Sequence, residues 1–267
     1  MATRFSPRCA PRPRGTAPAR TPGTASSGPP ELVLFDLDDT LFDLALTCRA
    51  ALGEPRREFE FARNRRLDEV VSEYNRMLGT KYLDVVAGRL TSGASRAERF
   101  RRVSVWTGRR VGDAEAERLA DEYQARTARL GRPVGGAPEA VRRLGNRSQI
   151  GIVTNNTVAE QEAKLRLLGL DRTIDHLVTS EMVGVAKPSP ENFHTALRQA
   201  GVAPNDAVMV GDSWASDLVG ARAARIPAVW FNRFPLTRPS GPAAPEFAAF
   251  RPRRDLDALL ERRSSSR

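Results

Sequence analysis

The chain has 267 residues, of which 40% are hydrophobic, and a formal net charge of +10. This length can bury a full core and suits one large domain or a core with a smaller module. No stretch approaches the roughly 20 apolar residues of a membrane span, so we expect no membrane segment. Cys9 and Cys48 are the only cysteines, which implies neither a disulfide framework nor a thiolate metal site and favours a reducing, cytoplasmic setting.

The positive charge is concentrated at the two ends of the chain. Residues 1–30 carry five arginines, seven prolines and no acidic residue, and residues 251–267 carry six arginines against three acids. The residues between are nearly neutral and show no basic stripe interleaved with aromatic residues, so we expect no specific nucleic-acid binding. Residues 1–30 are predicted to be a disordered basic arm, with a transit peptide or a misassigned start as alternatives.

Apolar runs alternate with helical segments over most of the chain. The sequence predicts a strand over 32–35, a helix that begins at Pro138 and ends at Gly145, and a strand in QIGIVTN. Further apolar runs, separated by helical patterns, lie at 176–179, 207–210 and 227–231, and EFAAF with RRDLDALLERR suggests a last strand and helix. This alternation is typical of an α/β fold with a doubly wound parallel sheet.

The pattern between the first strand and residue 132 is different. Apolar residues recur there at intervals of three and four, over 67–78 and 116–130, which indicates helices. We therefore predict an α/β core from residues 31–43 and 132–262, a helical insert at residues 44–131, and a tail at 263–267. Five arginines of the insert would meet an anionic substrate or, as we expect, face solvent: 56, 57, 63, 65 and 66.

The stretch FDLDDTLFD, residues 35–43, places Asp36 and Asp38 at the end of the first strand. In an extended strand, residues i and i+2 point to the same side, so both carboxylates project together. Two carboxylates this close raise each other's free energy, which a fold tolerates most easily when a hard cation such as Mg²⁺ lies between them. The pair therefore predicts a metal site.

Polar residues also follow two other predicted strands. Thr154 and Asn155 end the second strand, and Asp212 follows the fourth. Ligands of parallel α/β sheets bind at the carboxyl ends of the strands. We therefore expect these residues to lie at the same edge of the sheet as the aspartate pair.

The motifs DLDDT, VTNN, AKPSP and GDSWASD occur in this order, and together they resemble the four motifs of the haloacid dehalogenase superfamily, specifically phosphatase-like members with a helical C1 cap. The resemblance spans residues 31 to about 235. It implies a Mg²⁺-dependent phosphomonoester hydrolase that acts through an aspartyl-phosphate on a small phosphorylated metabolite, such as a nucleoside monophosphate or a sugar phosphate. The helical insert would then be the cap that selects the substrate.

The resemblance implies a role for each motif residue. Asp36 would be the nucleophile, and Asp38 would act as general acid and then general base. Thr154, Asn155 and Lys187 would bind the phosphoryl group. Mg²⁺ would be held by Asp36, the main-chain carbonyl of Asp38, and Asp212, with Asp217 just outside these ligands.

Composition gives Lys187 support of its own. Of the 42 basic residues only three are lysine, at positions 81, 164 and 187, so arginine supplies generic positive charge in this chain. An ammonium is a compact point charge on a flexible stem, suited to lie between Asp36 and a phosphoryl oxygen where a planar guanidinium would not fit. We therefore predict a catalytic role for Lys187.

Several other functions remain as alternatives. A 2-haloacid dehalogenase uses the same aspartate nucleophile without a metal, but it typically lacks the second aspartate, which is present here as Asp38. A phosphomutase stays open, because the phosphoryl group can return to a second hydroxyl. The non-enzyme alternatives are a phospho-receiver module, disfavoured by size and motif order, and a binding protein, disfavoured because no motif residue is missing. Either a monomer or a homodimer is compatible with the sequence.

Overall fold

The computed structural model describes residues 29–53, 62, 64–77, 84–85, 89–240, 244–250, 256 and 260. Six strands are present in these residues: β1 (Leu32–Phe35), β2 (Gln149–Thr154), β3 (His176–Thr179), β4 (Ala207–Gly211), β5 (Ala228–Phe231) and β6 (Glu246–Phe247). They form one sheet in the order β3-β2-β1-β4-β5-β6, with every neighbouring pair parallel. The predicted parallel α/β sheet is confirmed.

Helices connect the strands. Those before β2 are α1 (Leu44–Gly53), α2 (Leu67–Arg76), α3 (Ser92–Trp106), α4 (Asp113–Leu130) and α5 (Ala137–Leu144). Those after β2 are α6 (Val158–Leu167), α7 (Ser180–Val183), α8 (Pro190–Ala200) and α9 (Val219–Ala223), with a 3₁₀ turn at Pro204–Asp206 and a π-helical turn at Trp214–Leu218. Across the described ranges, none of the helices combines the length and apolarity needed to cross a membrane.

Strand β1 lies in the middle of the sheet and is buried on both faces. Leu34 belongs to the same buried cluster as Phe193 of α8, whereas Phe35 belongs to the cluster on the opposite face, with Val141 of α5. A strand buried on both faces needs apolar side chains at every position, which explains the uninterrupted LVLF sequence of β1. Helices therefore cover both faces, as a doubly wound sheet requires.

The predicted strands lie within one residue of β3, β4 and β5, and the helix predicted from Pro138 is α5. Strand β6 contains two residues, so it is shorter than the EFAAF run suggested. Most of the predicted basic arm, most of the last predicted helix and the tail lie outside the described residues.

The helical insert contributes α1 to α4 and has a hydrophobic cluster of its own. Tyr74, Phe100 and Tyr123 form its centre, with ring centroids 5.0 to 5.9 Å apart. Aromatic rings bury large apolar areas and pack well at such distances and tilts. The insert therefore packs around these three rings, while the exact domain limits stay a prediction.

The chain enters and leaves the helical insert at adjacent points. Phe42 and Pro133 form an isolated β-bridge, and the amide of Asp43 donates to the main-chain oxygen of Arg132 at 2.9 Å. The amide of Val134 donates to the oxygen of Leu41 at 2.8 Å. The two connections thus lie side by side at the carboxyl end of β1.

Candidate active site

The carboxyl ends of β1, β2 and β4 bring the predicted site residues to one edge of the sheet. Asp36 follows β1, Thr154 ends β2, and Asp212 follows β4, and these three strands are neighbours. The amide of Asp36 donates to the main-chain oxygen of Val210 at 3.0 Å, which continues the pairing of β1 with β4 by one residue. Backbone pairing therefore fixes the position of the first motif.

Lys187 lies at the centre of a buried network of charges. Its Nζ donates to Asp36 Oδ1 at 2.6 Å, to Asp217 Oδ1 at 2.7 Å and to the main-chain oxygen of Val153 at 2.7 Å. The residue is 5% exposed. Burial by itself lowers the pKa of Lys187, but the carboxylates of Asp217 and Asp36 outweigh it and raise the pKa above its ordinary value. The ammonium is therefore charged, and each of its three donors has an acceptor.

Three carboxylates, those of Asp36, Asp212 and Asp217, lie within 4.8 Å of one another. Burial raises the pKa of Asp36 well above its usual range; Lys187 opposes this shift, and Asp217 adds to it. Burial and then the charge of Asp217 raise the pKa of Asp212 to about 7. One ammonium faces three carboxylates, so the cluster has an excess of negative charge that a divalent cation would balance.

The donor atoms of this cluster fit a hard cation such as Mg²⁺, which binds oxygen ligands and needs only one or two carboxylates. Asp217 is the least available of the three. Its Oδ1 accepts from Lys187 and from the hydroxyl of Ser216 at 3.1 Å, and its Oδ2 accepts from the amide of Ser213 at 3.0 Å. The place predicted for Asp217, just outside the metal ligands, stays a prediction.

Gly211 makes room for Asp217. A Cβ atom at position 211 would lie 2.3 Å from Asp217 Oδ2 and 2.6 Å from its Cγ, which is far inside van der Waals contact. Asp217 belongs to the π-helical turn that follows β4, and Ser213 immediately precedes this turn. Only glycine at the end of β4 therefore allows the turn to bring the carboxylate against Lys187.

Thr40 supports Asp212 and is absent from the sequence prediction. Its Oγ1 donates to Asp212 Oδ1 at 3.1 Å and accepts from the amide of Asp212 at 3.1 Å. The side chain is fully buried. The motif after β1 is thus bonded directly to the motif after β4.

Asn155 connects the second and third motifs. Its Nδ2 donates to the main-chain oxygen of Lys187 at 3.2 Å, and its Oδ1 accepts from the Lys187 amide at 2.8 Å. Thr154 Oγ1 accepts from Gln161 Nε2 at 2.7 Å, which leaves the Thr154 hydroxyl hydrogen for another acceptor. The contacts of Thr154 and Asn155 with a phosphoryl group stay predictions.

Asp38 has partners different from those of Asp36. Lys164 Nζ donates to its two carboxylate oxygens at 2.5 and 2.7 Å, and Gln161 Nε2 donates to Oδ2 at 3.2 Å. Both partners lie on α6. The sequence suggested one cation shared by the two carboxylates, whereas the structure gives the Asp38 side chain an ammonium of its own.

The sequence reasoning missed Lys164 and Gln161 as site residues. A signal for Lys164 was present, because the scarcity of lysine that singled out Lys187 applies equally to position 164. No comparable signal exists for Gln161, whose importance follows only from its fully buried position between Asp38 and Thr154.

A cavity of about 210 Å³ lies between the helical insert and the sheet edge. Asp38, Asn155 and Lys164 line it from the core side, and Arg99 and Tyr123 are among the residues that line it from the insert. The carboxylate predicted to exchange protons with a leaving group therefore lines a partly open cavity of the size of a small metabolite. This arrangement suits the binding of a small ligand beside the sheet edge.

Comparison with known proteins identifies the family of this chain. A family model described as a haloacid dehalogenase-like hydrolase matches residues 30–225, more than half of the chain. The chain belongs to this family. The predicted superfamily is thereby confirmed. The phosphatase and nucleotidase relatives described next confirm the prediction of a phosphatase-type hydrolase.

This haloacid dehalogenase-like hydrolase is 31% identical over 210 residues to the pyrimidine 5'-nucleotidase YjjG of Escherichia coli K12, covering 78% of this chain and 89% of that protein. It is 30% identical over 241 residues to a phosphoserine phosphatase of Thermus thermophilus, covering 80% and 92% of the two chains. The structure of the HAD hydrolase YfnB from Bacillus subtilis superposes with a TM-score of 0.65 at 23% identity, covering 84% of this chain and 96% of YfnB. The last similarity shows that the fold is shared.

Proposed function

We propose that this hydrolase is a Mg²⁺-dependent phosphomonoesterase that acts through an aspartyl-phosphate on a small phosphorylated metabolite, either a nucleoside monophosphate or a sugar phosphate. The observation that carries the proposal is the buried cluster in which Lys187 Nζ bridges Asp36 and Asp217 beside Asp212. The relatives support it, because two of them are named for nucleotidase and phosphatase activity and the YfnB structure is described as bound to magnesium.

Asp36 is the nucleophile in this proposal. A carboxylate oxygen of Asp36 attacks phosphorus, the bond from phosphorus to the leaving oxygen breaks, and an aspartyl-phosphate forms. The Lys187 ammonium, 2.6 Å from Asp36 Oδ1, is placed to neutralise charge on the transferred oxygens. The Thr154 hydroxyl and the main-chain amide of Asn155 would bind the same oxygens.

Asp36, Asp212 and the main-chain carbonyl of Asp38 would hold Mg²⁺. When bound, the ion supplies positive charge for the phosphoryl oxygens and offsets the repulsion among the carboxylates. Asp217 holds Lys187 and is itself fixed by the Ser213 amide. In this division of roles, the Asp36 carboxylate contacts the lysine and would contact the ion.

Asp38 carries the proton in both half-reactions. As an acid it protonates the departing alkoxide, and as a carboxylate it then takes a proton from the water that attacks the aspartyl-phosphate. Its side chain lines the cavity in which the leaving group would lie, and Lys164 holds it there. The presence of this second aspartate also favours phosphate esters over 2-haloacids as substrates.

Turnover of p-nitrophenyl phosphate tests the proposal. We expect the activity to disappear after treatment with EDTA and to return when Mg²⁺ is added. A mass spectrum of rapidly quenched enzyme should show one phosphoryl group on the peptide that contains Asp36. Activity that is unchanged by EDTA, or a phosphoryl group on another peptide, would overturn the proposal.

A second assay separates the hydrolase from a phosphomutase. With a hexose 1-phosphate as substrate, a hydrolase releases inorganic phosphate and free sugar, whereas a mutase yields an isomeric sugar phosphate. We expect inorganic phosphate. A cytoplasmic location and a monomeric or homodimeric state stay predictions.

A further inference from the structure

The part of the cavity that belongs to the helical insert contains a buried arginine. Arg99 lies on α3 and is 8% exposed, and its Nε atom is buried with no hydrogen-bond partner. Its guanidinium lies over the ring of Tyr74, with 4.5 Å between Cζ and the ring centroid. Within the described ranges, no carboxylate lies at ion-pair distance from this guanidinium.

The other charged residues that line the cavity are already paired. Arg96 Nη1 donates to Glu160 Oε1 at 2.6 Å, and Lys164 Nζ donates to Asp38 Oδ1 at 2.5 Å. Two cations and two anions thus cancel, and Arg99 adds one positive charge that no lining residue balances. The electrostatic potential in the cavity is therefore suited to an anion.

A buried charge without a partner is costly, and a cation–π contact returns only part of that cost. Such a group persists in an enzyme cavity when a ligand supplies the missing charge. A guanidinium presents its donors as a planar fork that matches two oxygens of a carboxylate or a phosphate. The ligand group opposite Arg99 should therefore be one of these two anions.

The other lining residues indicate what a ligand would have between an ester phosphate at the sheet edge and a second anion at Arg99. Leu44, Val85 and Leu167 give the cavity apolar walls, while Asp38 lines it beside the site of phosphoryl transfer. A short carbon chain with an ester phosphate at one end and a second anion at the other fits these surroundings.

We propose that Arg99 binds a second anionic group, a carboxylate or a phosphate, on the leaving group of the substrate. This inference rests on the proposed phosphatase function and narrows its substrate class. The inference favours phosphorylated sugar acids and sugar bisphosphates as substrates. Nucleoside monophosphates are disfavoured, because their leaving group has no second anion.

Two matched pairs of substrates test the inference. 3-Phosphoglycerate and glycerol 3-phosphate differ by a carboxylate in place of a hydroxymethyl group, and fructose 1,6-bisphosphate and fructose 6-phosphate differ by one phosphate. We expect the wild-type enzyme to prefer the doubly anionic member of at least one pair by about 30-fold or more in kcat/KM. The pair that responds identifies the second anion as carboxylate or phosphate.

Arg99→Gln should remove this preference. Deletion of one partner of a buried charge pair changes affinity by about 30-fold or more, so kcat/KM for the doubly anionic member should fall by that factor relative to its partner, mainly through KM. Arg102→Gln is the matched control, because Arg102 lies on the same helix, pairs with Glu98 and is half exposed. The control should keep the wild-type preference.

A measurement on the wild-type enzyme covers the case in which Arg99→Gln fails to fold. Glycerate, the product that retains the carboxylate, should inhibit turnover of p-nitrophenyl phosphate at a lower concentration than glycerol does. Two outcomes would overturn this inference and leave the proposed function standing. One is a wild-type enzyme that turns over p-nitrophenyl phosphate but shows no preference in either pair of substrates. The other is an equal loss of activity toward both members of a pair in Arg99→Gln. Absence of all phosphatase activity in the wild-type enzyme would instead overturn the proposed function.

Discussion

Lys164 donates hydrogen bonds from Nζ to both carboxylate oxygens of Asp38, at 2.5 and 2.7 Å. The two residues are 126 positions apart, and Lys164 Nζ also lies 5.3 Å from the centroid of the Phe42 ring. The pair joins the first motif to α6 at the wall of the cavity. The pair thereby determines the position of the Asp38 carboxylate, the proposed general acid, relative to the leaving group.

Lys164→Met should lower kcat for p-nitrophenyl phosphate by about a hundredfold, the lower end of the range of about 10²–10⁴ that acid–base catalysis contributes. The expected reason is that Asp38, held only by Gln161 in the variant, loses its orientation. Steady-state kinetics would show this as a change in kcat with KM nearly constant. A kcat equal to that of the wild type would show that the ion pair has no role in positioning Asp38.

Asp36→Asn should abolish turnover while the protein still folds. If Asp36 is the nucleophile that we propose, its loss removes the aspartyl-phosphate route, for which a reduction of about 10⁴-fold or more is typical. In the variant Lys187 keeps Asp217 and the main-chain oxygen of Val153 as acceptors, so its ammonium stays paired and the fold should be retained. Circular dichroism and thermal unfolding check the second part, and appreciable residual activity would contradict the first.

Lys187→Arg should inactivate the enzyme, although it keeps the charge. The three acceptors around Nζ lie at 2.6 to 2.7 Å, in a space that a planar guanidinium does not fit. Lys187→Met, which removes the charge, should also destabilise the fold by roughly 3–5 kcal/mol if Mg²⁺ is absent.

Lys164→Arg is the matched control for this change, because Lys164 lies in a less buried position at the cavity wall. We expect Lys164→Arg to retain much more activity than Lys187→Arg in the same assay. Comparable activity in the two variants would count against the special role of an ammonium at position 187.

Gly211→Ala should reduce both stability and activity. The new methyl group would overlap Asp217, and overpacking of this kind costs about 1–3 kcal/mol. Displacement of Asp217 would also weaken the hold on Lys187, so kcat should fall. Urea unfolding and steady-state kinetics measure the two effects, and Gly135→Ala, where an added Cβ meets nothing within 4 Å, should change neither.

Cys48 should be nearly inert toward alkylating reagents at pH 8. Burial raises the pKa of its thiol from 9.0 to about 11, partly opposed by the contact with Tyr123, so only about one thiol in a thousand is ionised at this pH. A Cys9→Ser variant leaves Cys48 as the single cysteine, and mass spectrometry would follow its modification by iodoacetamide. Unfolded protein provides the reference rate, and equal rates in the folded and unfolded states would contradict the prediction.

The same shift has a consequence for stability. Since the pKa of Cys48 is higher in the folded state than in the unfolded state, ionisation of the thiol favours unfolding. Its contribution is complete below pH 9 and is lost as the pH rises from about 9 to 11. Thermal unfolding at several pH values would show the decline, and Cys48→Ser should reduce it.

The sequence predicted the features that depend on local patterns. Alternating apolar runs indicated the parallel sheet, and the motifs that follow β1, β2 and β4 indicated the edge at which Asp36, Thr154 and Asp212 meet. Those predictions succeeded because the direction of a parallel strand determines which of its ends faces the ligand.

Side-chain pairs between distant elements were not predictable in this way. The bonds of Thr40 with Asp212 and of Lys164 with Asp38 join residues more than a hundred positions apart, and they depend on how loops and helices pack against the sheet edge. The arginines of the insert illustrate the same limit. Arg65 and Arg66 are exposed as expected, and positions 56, 57 and 63 lie outside the described residues. Arg99 is buried, but the sequence did not single it out.

The β-bridge between Phe42 and Pro133 closes the helical insert into a loop whose two ends are held together by backbone bonds. The entropy lost in closing a loop grows only with the logarithm of its length, so halving or doubling this one would change the closure term by about 0.6 kcal/mol. The stability of the sheet therefore depends little on the number of helices inserted at this point. Evolution can therefore exchange the helices of the insert without rebuilding the sheet edge.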